Sequence, residues 1–252
     1  MYRARTLRIS LVIPTLNEAE SIPRTLATAR DAATCWNGTQ IIVSDCNSDD
    51  NTLDVARSLG AKTVTGGRSR ATAMNRGAKI ADGEVLLFLH ADTRLPVGYD
   101  DAVRRAISNG CVGGAFDFSF GSDDRARGLN KQKLKLVRIL NRVRFRWKRT
   151  FYGDQAIFCR RDVFESLGGY QELPLFEDVR LSKDMRRRGR LAILQPPVKT
   201  SPRRFIEKGV LRQMIRDMIL MALDGCGVCP RRMWSAYNRH NRTVSPASSP
   251  AG

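Results

Sequence analysis

Three polar, acid-bearing loops follow short apolar runs in the first half of this chain. Pro14-Thr15-Leu16-Asn17-Glu18 follows the run at 8–13, and Asp45, with Asp49 and Asp50 behind it, follows residues 40–43. His90-Ala91-Asp92 follows the five apolar residues 85–89. Asp and Asn favour turns and helix starts on their own account, which explains Asp49 and Asp50 well. It explains Asp92 less well, because an apolar strand delivers that carboxylate to its end. Gathered carboxylates repel phosphate unless a divalent cation stands between them. Magnesium or manganese takes oxygen ligands, commonly one or two carboxylates plus the phosphates of a substrate. A basic turn, Arg68-Ser69-Arg70, opens a segment with Asn75 and Gly77 and could meet the same phosphates from the other side. Further on stand Gly153-Asp154-Gln155 and the adjacent acids Glu177-Asp178. A carboxylate beside another carboxylate has its pKa raised toward the range of a general base. The same two acids would also suit the start of a helix by complementing its dipole.

These residues need elements to hold them. The spacing predicts strands at 8–13, 40–43, 62–65 and 84–89, alternating with helices at 21–33, 52–59 and 70–80. Ser21 is the expected cap of the first helix, and Gly60 the stop of the second. Strand–helix alternation with short connections argues for an α/β fold with a parallel sheet covered on both faces and right-handed crossovers. Ligands of such sheets bind beyond the carboxyl ends of the strands, where the three loops should converge. Strands are also predicted at 112–120, 155–159 and 191–194, and helices at 161–167 and 179–188. Residues 209–223 carry Leu211, Met214, Ile215, Met218, Ile219 and Ala222 on one helical stripe, which either packs on the core or meets a membrane. The tail at 243–252 is low in complexity and is expected to be disordered.

The chain has 252 residues with 42% hydrophobic and 27% charged, a globular balance. Its formal charge of +18 calls for an anionic partner. Half of that excess lies at 129–149, where Lys131, Lys133, Lys135, Arg138, Arg142, Arg144, Arg146, Lys148 and Arg149 stand with no acid among them. Phe145 and Trp147 interleave with these cations, a pattern that single-stranded nucleic acid or an anionic membrane surface would fit. Cys35, Cys46, Cys111 and Cys159 read as small buried hydrophobes, and the lone pair Cys226 and Cys229 has no second pair to complete a zinc site. No uncharged run is long enough for a membrane span, and the N-terminus does not read as a signal peptide. The expected location is the cytoplasm, with peripheral contact at the inner face of a membrane.

Taken together, the motifs resemble the family 2 glycosyltransferases of GT-A fold. They are Pro14-Thr-Leu-Asn17-Glu18, Asp45 with Asn47-Ser48-Asp49-Asp50-Asn51-Thr52, Arg70 with Asn75 and Gly77, Leu86-Leu-Phe-Leu-His90-Ala-Asp92, Gly153-Asp154-Gln155 and Glu177-Asp178. The resemblance covers about four-fifths of the chain. It implies a Rossmann-like, mostly parallel central sheet flanked by helices over residues 1–205, with an amphipathic helical extension at 206–242. It implies a donor site at Pro14, Thr15, Asn17, Glu18, Asp45, Arg70 and Asn75 for a nucleotide-diphosphate sugar, of uridine type by family default. Asp92 matches the last acid of the metal-binding Asp-x-Asp motif. Gly153, Asp154 and Gln155 match the acceptor-side loop, and Asp178, beside Glu177, matches the general base of an inverting transfer assisted by manganese or magnesium.

Two departures matter. His90 stands where the motif has its first acid, and imidazole can bind manganese or donate to ribose. The Gln-x-x-Arg-Trp motif of processive synthases is replaced by Ser201-Pro-Arg203-Arg204-Phe205, which argues against polymer synthesis. The reading is transfer of a single sugar to a hydroxyl or carboxyl acceptor, with the basic and amphipathic segments pointing to a lipid-linked or membrane-borne one. The rival reading is a non-catalytic basic binder of nucleic acid or of an anionic membrane surface. The acidic loops argue against nucleic acid, since they repel its phosphates. A dinucleotide oxidoreductase is poorly supported, because no Gly-x-Gly-x-x-Gly follows the first strand.

Overall fold

In a computed structural model of the chain, the described residues are 7–120 apart from 68, 150–200 apart from 174, and Gln132, Ile139, Arg142, Ile219 and Leu223. Most of the basic run, the extension at 206–242, the tail and the 226–229 cysteine pair lie outside them.

The described residues form one eight-stranded sheet in the order β3-β2-β1-β4-β7-β6-β8-β5. Its parallel half is β1 (Ile9–Thr15), β2 (Thr39–Asp45), β3 (Lys62–Thr65) and β4 (Val85–Phe88), joined by α1 (Ile22–Ala32), α2 (Thr52–Ser58) and α3 (Arg70–Lys79). The alternation read from the sequence therefore holds for this half. The rest is mixed. β5 (Thr93–Arg94) and α4 (Tyr99–Ser108) precede β6 (Cys111–Phe120), and β7 (Phe158–Arg160) runs antiparallel between β4 and β6. α5 (Arg161–Ser166) and α6 (Glu177–Arg188) lead to β8 (Arg190–Thr200), which pairs parallel with β6.

Period-two burial on β1 separates two cores. Ile9, Leu11 and Ile13 pack with Ile22, Leu26, Tyr99 and Val103 on one face. Val12 packs with Ala71, Met74, Phe88, Phe164 and Tyr170 on the other. Every residue of β1 is buried, as a central parallel strand requires. Gly77 lets α3 approach closely: a Cβ there would stand 2.4 Å from Val12 Cγ1.

Several expectations need correction. Ser21 flanks α1 but its side chain accepts no amide; its hydroxyl instead donates to the Glu18 carboxylate. No strand begins at Gln155, because Gly153–Gln155 is a 3-10 turn and Ala156 has φ 49°, so the strand starts at Phe158. The strand predicted at 191–194 runs on through Pro196 and Pro197 to Thr200. The prolines are tolerated because the β6–β8 register breaks between Phe116 and Phe118, where β8 carries extra residues. Helix α4 is absent from the sequence reading, although Tyr99, Val103 and Ala106 give it a helical stripe of buried residues. Cys111 and Cys159 are buried as expected, whereas Cys35 is exposed and Cys46 half-buried.

Candidate active site

The carboxyl ends of β1 and β2 are laced together. Thr15 Oγ1 donates to Asp45 Oδ1 at 2.8 Å, and the Ser48 amide and hydroxyl donate to the two Asp45 oxygens at 2.7 and 2.6 Å. Asp45 is fully buried, and these three donors compensate its charge. The loops beyond are cross-linked as well. The Asn17 amide donates to Ser48 Oγ, the Asp49 amide to Asn17 Oδ1, the Glu18 amide to Thr52 Oγ1 and the Ala19 amide to Asp50 Oδ2. Asn17 and Asn47 both have positive φ, which Asn accepts more readily than most residues. Pro14 is buried in β1, while Leu16 and Asn17 face solvent on the rim.

The N-terminus of α3 joins this rim. Ser69 caps it in a reciprocal capping box with Thr72, and the Ser69 carbonyl accepts the Cys46 thiol at 3.6 Å. Arg70 then reaches across to α6. Its Nε and Nη2 both donate to Glu177 Oε1, at 2.8 and 2.7 Å. The Glu177 side chain is 4% exposed and that of Arg70 46%, so the guanidinium keeps an open side. One turn further along α3, Asn75 is engaged at both ends of its amide. It donates to the Tyr170 carbonyl and accepts the Tyr170 amide, each at 2.8 Å. Asn75 thus fixes the loop beneath the site.

Asp178 occupies the first turn of α6, after Phe176 in the left-handed region. It is buried, and the Gly153 and Val179 amides donate to its two oxygens at 2.6 and 2.7 Å. Burial first, and the neighbouring Glu177 second, push its pKa up to about 7, against the opposing pull of Arg70 and the two amides. A carboxyl poised there exchanges a proton near neutrality.

The turn carrying Gly153 is built from the next residues. Gln155, buried, accepts the Tyr152 amide at Oε1 and donates from Nε2 to the Phe116 carbonyl. Asp154 is half-buried on the same turn. Gly153 lies against the His90 ring: a Cβ added to it would stand 2.3 Å from Nε2. His90 in turn leads through Ala91 to Asp92, which is exposed.

A continuous chain of contacts therefore runs from Thr15 and Asp45 through Cys46, Ser69, Arg70, Glu177, Asp178 and Gly153 to His90. Among the described residues, no group of three His, Cys, Asp or Glu side chains comes together as a ready-made metal cage. Sequence reasoning gave no role to three contributors: Ser48, Tyr170 and Phe176. Ser48 was legible as a turn residue after Asp45, whereas the roles of Tyr170 and Phe176 depend on tertiary packing and an unusual φ, which leave no local mark.

The family described as Glycosyl transferase family 2 matches residues 10–168. A PGL/p-HBAD biosynthesis glycosyltransferase of Mycobacterium bovis is 33% identical over 183 residues, covering 64% of this chain and 62% of that protein. A dolichol-phosphate mannosyltransferase of Pyrococcus furiosus is 30% identical over 110 residues, covering 41% of this chain and 31% of that protein. The chain thus spans less than two thirds of the length of these curated relatives. Among solved structures, the mannosyltransferase PcManGT from Pyrobaculum calidifontis, in complex with GDP-Man and Mn2+, superposes with a TM-score of 0.55 at 21% identity, over 77% of this chain and 56% of that one. S. aureus TarS 1-349 does so with a TM-score of 0.57 at 16% identity, over 86% and 66%. At those identities the superpositions establish a shared GT-A-like fold. With the family match covering more than half of its residues, the chain belongs to glycosyl transferase family 2.

Proposed function

We propose that the chain transfers one sugar from a nucleotide-diphosphate sugar to an acceptor hydroxyl or carboxyl, with inversion at the anomeric carbon. The observation that carries this reading is Asp178: a buried carboxyl with its pKa pushed up to about 7, at the carboxyl edge of the sheet. For a hydroxyl acceptor, Asp178 takes the proton as the acceptor oxygen bonds to the anomeric carbon and the bond to the diphosphate breaks. Proton abstraction by a placed base is worth about 10²–10⁴ in rate. Arg70, held beside the site by Glu177, offers its open side to the departing phosphates. The rim of Thr15, Asn17, Glu18 and Asp45, behind Pro14, faces the nucleoside, and Gly153, Asp154 and Gln155 border the acceptor.

A divalent ion fits this donor set. Asp92 presents an exposed carboxylate, and an ion held by one or two carboxylates completes its shell from phosphate oxygens and water, so the lack of a protein cage is no obstacle. When bound, manganese or magnesium would neutralise the developing diphosphate charge. The manganese in the PcManGT complex supports this choice, and its GDP-Man supports a nucleotide-diphosphate sugar. The relative named dolichol-phosphate mannosyltransferase supports a lipid-linked acceptor, as does the cationic run at 129–149, which would favour an anionic membrane surface. Among the described residues, no helix is long and apolar enough to cross a membrane.

Calorimetry tests the donor half. A panel of nucleotide-diphosphate sugars is titrated with manganese, then with chelator, against the native chain and Asp92→Ala. One donor should bind, with affinity lost in chelator and in the variant. Absence of binding to every donor by the folded protein would refute the assignment.

A further inference from the structure

The geometry points to His90 as a positioning residue that seats the Gly153 amide on Asp178, rather than as a ligand of the metal. This rests on the reading of Asp178 as the base. The ring edge carrying Nε2 and Cε1 packs on Gly153 so closely that a Cβ there would stand 2.3 and 2.7 Å from those two atoms. Nε2 is shut off from solvent and lies against the turn, whereas Asp92 is exposed. The His90 backbone is fixed on both sides: the Leu89 amide donates to the Val12 carbonyl and the Thr93 amide to the His90 carbonyl. From that backbone the ring meets the turn at Gly153. The turn above it delivers the 2.6 Å hydrogen bond from Gly153 to Asp178.

The residue types suit this role. With the ring where it lies, any side chain at 153 would force it to move. A carboxylate at position 90 would bring a further negative charge toward a site that already holds Glu177 and Asp178, with Asp154 on the turn, Tyr170 below and Arg70 as the facing cation. An imidazole fills the same space without obligatory negative charge.

His90→Phe, His90→Ala and Gly153→Ala separate the possibilities. Manganese affinity is measured by electron paramagnetic resonance in the presence of uridine diphosphate. The Asp178 carboxyl is titrated by carbon NMR, and thermal melts report folding. Phe keeps a ring without nitrogen, so His90→Phe should keep manganese affinity within about twofold and leave the Asp178 titration in place. His90→Ala should also keep manganese affinity. Its loosened turn should weaken the amide bond to the charged carboxylate, move the titration to higher pH and slow donor hydrolysis about ten- to hundredfold. Gly153→Ala should move the titration the same way with His90 still present, which serves if His90→Ala does not fold. A tenfold or larger loss of manganese affinity in His90→Phe would overturn the inference, as would an unmoved Asp178 titration in both alanine variants. Metal affinity and titration do not depend on turnover. Full activity in Asp178→Asn would therefore remove the base assignment without touching this result.

Discussion

Two buried carboxylates of this chain occupy the same local setting and have opposite fates. Asp100 and Asp178 each sit in the first turn of a helix, and each helix follows a residue with positive φ, Gly98 at 74° and Phe176 at 65°. Around Asp100 the fold supplies donors in excess. The Thr34 amide and hydroxyl, the Cys35 amide and Arg104 Nη1 all reach it, and Arg104 is itself anchored on the Leu7 and Gly38 carbonyls. Burial would raise this acid, yet the donors hold it down to about 2. Around Asp178, among the described residues, two backbone amides reach it, and Arg70 spends two of its bonds on Glu177. Burial prevails and the acid rises to about 7. Position on a helix therefore does not decide whether a buried carboxylate is held ionised or pushed toward neutrality; the number and kind of donors around it does.

Exchange of each acid for its amide should break this symmetry most visibly. Asp178→Asn should lower sugar transfer by about 10²–10⁴ while leaving the melting temperature unchanged or higher. Asp100→Asn should leave the folded fraction active but cost about 3–5 kcal/mol in urea unfolding, because Arg104 loses a buried partner. Equal activity losses in the two variants would sink the contrast.

The pH dependence should separate them next. Asp178 is raised, so its contribution to stability is present below the pKa of an unfolded carboxyl and fades as pH climbs through about 7. Activity gains the basic form over that same interval, so it rises while this contribution falls. Asp100 is depressed, so its contribution is full above the unfolded value and is lost as pH falls toward about 2. Parallel melting and rate profiles between pH 3 and 9, in wild type and both variants, check the two signs.

A subtler change sharpens the account of Asp178. Glu177→Gln removes the neighbouring negative charge, which favours ionised Asp178. The acid limb of the rate profile should move to lower pH; a limb that stays put or climbs would mean that Glu177 does not tune its neighbour. The smallest effect is expected at Asn75→Ala. Loss of its two hydrogen bonds to Tyr170 should cost about 1–3 kcal/mol of stability, with a modest fall in rate. An unchanged urea midpoint would show that the loop does not depend on the clamp.

The parallel half of the fold was legible because its strands are apolar runs punctuated by Asn, Asp and Gly, and buried strands advertise themselves in that way. Thr15, Asp45 and Arg70 followed, since a parallel sheet places strand ends and helix starts on one edge. The family resemblance pointed to Asp178, and the structure adds the electrostatics that spacing alone could not supply. Helix α4 escaped although its stripe was there to read. The strand predicted at 191–194 ends short of the prolines, whose tolerance within β8 depends on a register break against β6. The pairing of Asn75 with Tyr170 spans 95 residues and joins a helix to a loop, so no local pattern encodes it.

The non-glycine residues with positive φ among those described are Asn17, Asn47, Ala156 and Phe176, and each lies in or next to a segment of the candidate site. The two that lack an amide side chain sit in a conformation that costs an L-residue about 1–2 kcal/mol. Glycine would release that cost, so Ala156→Gly and Phe176→Gly mark places where thermal resilience and reactivity pull apart. A variant that melts higher yet works more slowly is the expected trade, and the crevice, rather than the well-packed parallel half, is where an engineer would meet it.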